Sequence, residues 1–293
     1  MSDKDKEEKP SQTSEPQTLH KRAWWGSPKK ILLRVIILSL LCMGAAKILG
    51  TYGAYQLVTD YITIDAGALS EAAPLRIAFI ADIHSDGKIL ERAVEEIKRH
   101  QPDIIIIGGD IVDASLRFSR SRDFIIQFKQ LAAIAPTYVI LGNHDMERLD
   151  ETTRVIEKSE ITLLHNKAIT WTSPSGKQIR LIGLGDWNEY EEDPQACMKA
   201  VGEEELPVIL LSHDPESRWL LTQYDWDLML SGHTHGGQAR NPLTGDYISF
   251  RSSMPAGLFS FEGNRQIYVT RGLGSIYGMR FFCPAEVSII DIK

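Results

Sequence analysis

The feature that most constrains this chain is a recurring strand ending: five short apolar runs each stop at Asp, Asn or His. Residues 77–81 lead to Asp82 and His84. The four isoleucines 104–107 lead through two glycines to Asp110. Residues 138–142 lead to Asn143, His144 and Asp145, residues 208–212 to His213 and Asp214, and residues 228–232 to His233 and His235. Continuous runs of Ile, Val and Leu, apolar at every position rather than every second one, read as strands covered on both faces. Between them, residues 87–100 place Ile89, Leu90, Ala93, Val94 and Ile97 on one helical face, and residues 122–133 read as a second helix. Strands alternating with helices make a layered α/β fold. In such folds ligands bind beyond the carboxyl ends of the strands, so the five endings are expected to converge. A Ser173-Pro174-Ser175-Gly176 turn makes residues 161–184 a hairpin, and further short strands are expected near 258–261, 266–270 and 287–291.

Five of the eight histidines lie at these endings: His84, His144, His213, His233 and His235. The other three, His20, His100 and His165, read as exposed or structural. A buried cluster of imidazoles and carboxylates is costly unless a metal compensates it. Oxygen and imidazole donors without thiolate suit Mn, with Zn or Fe as alternatives. His233 and His235 flank one residue, so in an extended turn both project to one side, each toward a different ion. Asp110 can give one oxygen to each of two cations, which argues for two divalent ions about 3.5–4 Å apart. The three cysteines, Cys42, Cys197 and Cys283, are far apart and read as packing residues. A formal charge of -7 argues against a nucleic-acid partner. No obligate protein partner is inferred.

The chain divides into a disordered, basic-ended tail (1–30), a transmembrane or anchoring segment (31–57), a linker (58–74) and one catalytic domain (75–293). The tail has almost nothing to bury. The uninterrupted apolar run, 35–46, has signal-peptide length, which leaves a cleaved signal or a surface-lying or buried helix open. In favour of an uncleaved span, Arg34 and Lys47 stand near its ends, where long stems snorkel, and Trp24 and Trp25 suit an interfacial belt. Lys21, Arg22, Lys29, Lys30 and Arg34 precede the segment, so the positive-inside rule places the C-terminal domain outside. A monotopic domain on the cytoplasmic leaflet would need no translocation, and the side stays open.

The blocks Asp82-Ile83-His84, Gly109-Asp110-Ile111-Val112-Asp113, Gly142-Asn143-His144-Asp145, His213 and Gly232-His233-Thr234-His235 resemble, in order, the signature of the calcineurin-like metallophosphoesterases. The resemblance implies a four-layer α/β/β/α sandwich and a hydrolase of phosphoester or pyrophosphate bonds. It implies that Asp82, His84 and His235 hold one metal, that Asn143, His213 and His233 hold the other, and that Asp110 bridges. It makes His144 the residue that protonates the leaving group or stabilises the transition state, oriented by Asp113. Asp145 and Asp214 divide between support of the ligands and loop capping. One departure counts against a phosphoprotein substrate: Ala114 stands where the protein phosphatase branch has arginine. Arg117, Arg240, Arg271 and Arg280 are the candidate phosphate contacts in its place. The stretches 231–238, 269–274 and 280–286 resemble a membrane-associated bacterial subgroup typified by YaeI and YkuE, which includes a chlamydial-type UDP-2,3-diacylglucosamine pyrophosphatase. That resemblance implies a phosphorylated, lipid-linked substrate, a place in lipid A biosynthesis, and the bacterial inner membrane as location. A broad phosphodiesterase without lipid preference and a non-catalytic scaffold are the alternatives.

Overall fold

The computed structural model describes residues 27–65, 67–72, 74–113, 121–189, 192–199, 205–250 and 252–293. Residues 1–26 of the expected tail, with Lys21, Arg22, Trp24 and Trp25, as well as His20, Ala114 and Arg117, lie outside the described residues, whereas Pro28, Lys29 and Lys30, expected in the tail, are the first residues of a helix.

One sheet runs, edge to edge, through β1 (Leu57–Ile64), β12 (Ala285–Ile292), β2 (Leu75–Ile80), β3 (Ile104–Ile107), β4 (Thr137–Val139) and β5 (Thr162–Leu163). The other runs through β10 (Gly257–Ser260), β11 (Gln266–Val269), β9 (Leu228–Ser231), β8 (Val208–Leu211), β7 (Gln178–Gly183) and β6 (Lys167–Thr172). Neighbours from β2 to β5, and from β7 through β8 and β9 to β11, are parallel, while β6, β10 and the β12–β2 pair are antiparallel. The described helices are α1 (Pro28–Ala54), α2 (Gly87–His100), α3 (Ser121–Ile134), α4 (Asn143–Met146), α5 (Leu149–Glu157) and α6 (Pro194–Lys199).

Side-chain alternation along β3 sets the layering. Ile104 and Ile106 face the second sheet, packing with Phe79, Ile209, Leu211 and Leu230. Ile105 and Ile107 face the opposite way, onto Leu90 and Ile97 of α2 and Phe128 of α3. On the far side of the second sheet, Ile182, Leu210 and Met229 cluster with Cys197 of α6 and with Trp226. The result is a four-layer α/β/β/α sandwich of two mixed sheets. Helix α2 starts where Asp86 accepts hydrogen bonds from Lys88 N and Ile89 N, and it buries the five expected apolar residues.

The expected linker differs from what is observed. Residues 57–64 are β1, an edge strand in parallel register with β12 from Leu57↔Ala285 to Ile64↔Ile292. Residues 67–72 form a 3-10 turn that buries Leu69 and Ala72 in the inter-sheet core. Half-exposed edge strands carry polar residues such as Thr59, Asp60 and Thr63, which is why the composition read as linker.

By internal contacts the chain forms two units, Met1–Ala45 and Ala46–Lys293. Helix α1 is a continuous 27-residue helix, roughly 40 Å long at 1.5 Å per residue. Its length and apolar composition suffice to cross a membrane. Gly50 and Ala54 are its buried residues, whereas Leu32, Leu38, Leu41 and Ile48 are exposed.

Candidate metal centre

The strand endings deliver their polar residues to one place through backbone that runs against L-residue preference. Asp82 (φ 53°), His84 (φ 47°), Asp110 (φ 53°), His233 (φ 68°) and His235 (φ 53°) all lie in the left-handed region. Each such residue costs about 1–3 kcal/mol and persists only where its surroundings over-determine it. Here Asp82 N donates to Gly109 O at 2.9 Å and His84 N to Asp110 O at 3.0 Å, so the two ligand loops hold each other. His233 N donates to Asp82 Oδ1 at 3.0 Å, tying in the third.

Asp110 sits between two groups of donors. On one side His84 Nε2 is 3.5 Å from Asp110 Oδ2 and 3.0 Å from His235 Nε2, which lies 3.5 Å from Asp82 Oδ1. On the other, His213 Nε2 is 3.2 Å from Asp110 Oδ2 and 3.9 Å from Asp82 Oδ1. His233 Nδ1 and Asn143 Oδ1 meet at 3.0 Å. Asp82, His84, His213 and His235 thus gather around Asp110, and the His233–Asn143 pair stands beside them, its imidazole centroid 5.2 Å from that of His213.

The donor chemistry fits divalent cations. His213 Nδ1 lies 2.7 Å from Gly108 O, so the ring donates from Nδ1 and turns Nε2 toward the cluster. That Nε2 is buried, has no hydrogen-bond partner among the described residues, and faces the Asp110 carboxylate. Burial is outweighed by Asp110 and Asp82, which push the His213 imidazole well above its ordinary pKa, so positive charge is favoured at this point, as a ring proton or as a bound cation. Burial, helped by Asp110, pushes the Asp82 carboxyl up to about 7, and burial pushes the His84 imidazole down to about 4. Burial opposes ionisation of Asp110 too, but His213, His84 and His144 overcome it and hold that carboxyl well below its usual range.

Surrounding residues fix this cluster. The buried Asp145 carboxylate accepts from Ile111 N at 3.0 Å, Val112 N at 3.1 Å and Gly142 N at 3.0 Å, joining the Asp110 loop to the Asn143 loop. Asp214 caps a 3-10 turn through Glu216 N at 2.8 Å, and its other oxygen is 3.5 Å from His233 Nε2. It thus caps the turn and stands beside His233. His144 N donates to Asp110 Oδ1 at 2.9 Å, and its ring stands edge-on to His84 with centroids 5.0 Å apart. Both His144 and Asp113 line a cavity of about 1280 Å³ that reaches Tyr55 and Tyr277. Glu147 Oε1, 3.8 Å from His144 Nδ1, is a neighbour that strand-end reasoning did not single out.

The described arginines are placed elsewhere. Arg240 bonds Gly245 O and stacks on Tyr247. Arg271 pairs with Asp60 at 2.8 Å and Glu286 at 2.9 Å. Arg280 is fully buried, surrounded by carbonyls. Among the described lining residues of the cavity the basic one is Lys88. Asp186 was also missed: it is fully buried near His213 and Asp110, and burial raises its pKa. A sixth strand ending, Leu184-Gly185-Asp186 after β7, carried the signal that would have found it.

A shared carboxylate between two sets of oxygen and imidazole donors, at the carboxyl ends of two facing sheets, defines a dinuclear metal hydrolase. The chain belongs to the calcineurin-like phosphoesterase family, whose model matches residues 75–237. It is 38% identical over 234 residues to phosphodiesterase YaeI of Escherichia coli, covering 75% of this chain and 83% of that protein. It is 32% identical to the UDP-2,3-diacylglucosamine pyrophosphatase LpxG of Chlamydia muridarum, covering 74% and 83%. The Haemophilus influenzae NAD nucleotidase NadN shares the fold with a TM-score of 0.50 at 17% identity, over 69% of this chain and 46% of that one. The protein is a metal-dependent hydrolase of the phosphodiesterase and pyrophosphatase kind.

Proposed function

We propose that the chain cleaves the pyrophosphate bond of a membrane-borne, lipid-linked nucleotide such as UDP-2,3-diacylglucosamine, releasing a lipid monophosphate and UMP at the bacterial inner membrane. The observation that carries this reading is the cavity of about 1280 Å³ that begins at His84 and His144 and reaches Tyr55, the residue after the last turn of α1. Pockets for small soluble ligands occupy about 300–1,000 Å³, so this one has room for a larger, partly apolar substrate. Ile126, Phe124, Tyr55 and Tyr277 supply apolar surface, while the polar lining joins Lys88 and Gln127 to the carboxylates Asp86, Glu91, Glu95 and Asp123. The apolar, exposed α1 would hold the site at the surface where such a substrate resides.

Asp82, His84 and His235 would hold one divalent ion and Asn143, His213 and His233 the other, with Asp110 shared. Manganese suits these donors best, and zinc or iron are compatible. Two such ions supply the positive charge that activates water and stabilises the departing oxygen at phosphorus. His144, held over Asp110 by its own backbone, stands at the cavity wall to give a proton to that oxygen, with Asp113 on the same wall to orient it. No protein or nucleic-acid partner is needed for this chemistry.

The second reading, a broad phosphodiesterase, is favoured by the 38% identity to a protein named for that activity. Purified full-length protein with Mn²⁺ in detergent should release UMP from UDP-2,3-diacylglucosamine faster than it cleaves bis-p-nitrophenyl phosphate. Turnover of the aryl diester with no UMP across several metals and detergents rejects the lipid reading in favour of the broad one.

A further inference from the structure

Arg280 has no solvent exposure, and its guanidinium spends its donors on main-chain oxygens. Nε donates to Gly274 O at 3.0 Å, Nη1 to His235 O at 3.5 Å and Cys283 O at 3.4 Å, and Nη2 to Arg271 O at 2.7 Å and Gly272 O at 3.2 Å. Nη2 also lies 3.4 Å from His235 Nδ1. These acceptors belong to loops behind two metal ligands. One loop carries His235 itself. The other, residues 271–274, lies against Asp82: Leu273 N donates to Ala81 O at 2.9 Å and Gly274 N to Asp82 O at 2.6 Å. The fit is tight enough that a Cβ on Gly272 would stand 2.6 Å from Asp82 Cβ. A planar guanidinium with donors in a fixed fork sets the spacing of the carbonyls it binds. Arg280 therefore sets where His235 stands relative to Asp82.

The backbone of Arg280 is in turn seated on the end of α1. Its N–H donates to Gly50 O at 2.8 Å. Its carbonyl oxygen approaches so closely that a Cβ on Gly53 would be 2.0 Å from it, and a Cβ on Gly50 would be 2.7 Å from Phe281 Cζ. Three residues apart, Gly50 and Gly53 share one helix face. Gly44, on the same helix, has nothing within 4 Å of its Cβ position among the described residues.

We propose that Arg280 is a positioning residue for the metal site of Asp82, His84 and His235, and that the Gly50/Gly53 face of α1 is its seat, so that the last turns of that helix are part of the metal-site scaffold. The proposal rests on the dinuclear reading of the site and on no particular substrate.

The test is a Mn²⁺ titration of metal-stripped, full-length protein in detergent, with free ion read by electron paramagnetic resonance, which counts both sites without turnover. Gly53→Ala should weaken one site about 10- to 100-fold, the range for residues that orient metal ligands, and leave the other within about twofold. Gly50→Ala should cost less, because its clash is with the tip of a flexible side chain, and Gly44→Ala should cost nothing. Alanine favours a helix more than glycine does, so helix propensity predicts no such order. Arg280→Lys should reproduce the one-site loss, since an ammonium cannot span the same carbonyls. Unchanged affinity in folded Gly53→Ala, equal weakening of both sites, or a Gly44→Ala loss as large as that of Gly53→Ala would each overturn the proposal. Should Arg280→Lys not fold, the glycine series decides alone.

Discussion

Asp145→Ala separates a residue that bolts two ligand loops together from one that merely fills a turn. The wild-type carboxylate is fully buried and satisfies Ile111 N, Val112 N and Gly142 N. Alanine leaves three buried donors without an acceptor. Each orphaned donor costs about 1–3 kcal/mol, and a water entering the vacated space recovers part of that, so a total of roughly 3–6 kcal/mol is expected. For a unit of this size each kcal/mol moves the unfolding midpoint by about 2–4 °C, which puts the loss at roughly 10–20 °C. The loosened loops carry Asp110 and Asn143, so metal stoichiometry should fall in the same variant. Differential scanning calorimetry and elemental analysis of metal-loaded protein measure both. An Asp145→Ala protein that unfolds within about 3 °C of wild type and retains two ions per chain would refute the argument.

Asp110→Asn should reduce bound metal from two ions to one or none and activity by more than about 100-fold, as elemental analysis and a phosphodiesterase assay will show. His144→Asn keeps the main-chain bond to Asp110, so it should lower kcat by about 100- to 10,000-fold with metal content unchanged. The imidazole also lies within ligand range of His84 and Asp110, so a fall in metal content would make it a ligand instead of a proton carrier. Arg76 grips Asp291 through Nε at 2.7 Å and Nη2 at 3.1 Å, and this hydrogen bonding lowers the Asp291 pKa. A depressed carboxyl contributes stability above its unfolded pKa, about 3.9, and loses it as pH falls through the folded value. Both partners are partly exposed, so Asp291→Asn should cost under about 1 kcal/mol at pH 7 and nothing measurable near pH 2, by urea unfolding at the two pH values.

The layering and the site were legible because each is written in residue type at regular places. Ile104 to Ile107 announce a strand covered on both sides because nothing polar survives on either face of a central strand. Asp82, His84, Asp110, Asn143, His213, His233 and His235 stand out because metal ligands are limited to a few side chains, and because parallel strands put their carboxyl ends at one edge. Asp186 obeys the same rule and was legible in principle. Helix α1 was harder to read. Arg34 and Lys47 cut its apolar run, whereas the helix continues through both and extends about two turns beyond each.

The rest was not legible because it is made by main chain, and any residue supplies a carbonyl. Arg280 reads as a candidate phosphate contact in the sequence, and only the fold shows its guanidinium enclosed by oxygens from residues 235, 271, 272, 274 and 283. Strand β1 reads as linker because its partner is chosen by backbone register with β12, the last strand of the chain. The sheet order β1-β12-β2 has a folding consequence. The strand that leads to Asp82 pairs directly with β12, and Gly272 presses on Asp82 itself. The family model ends at residue 237, after the last ligand, but the ligands are held by residues beyond it. A chain ending there would contain every metal-binding side chain, yet β2 would lack its β12 neighbour and Asp82 the backbone packed behind it.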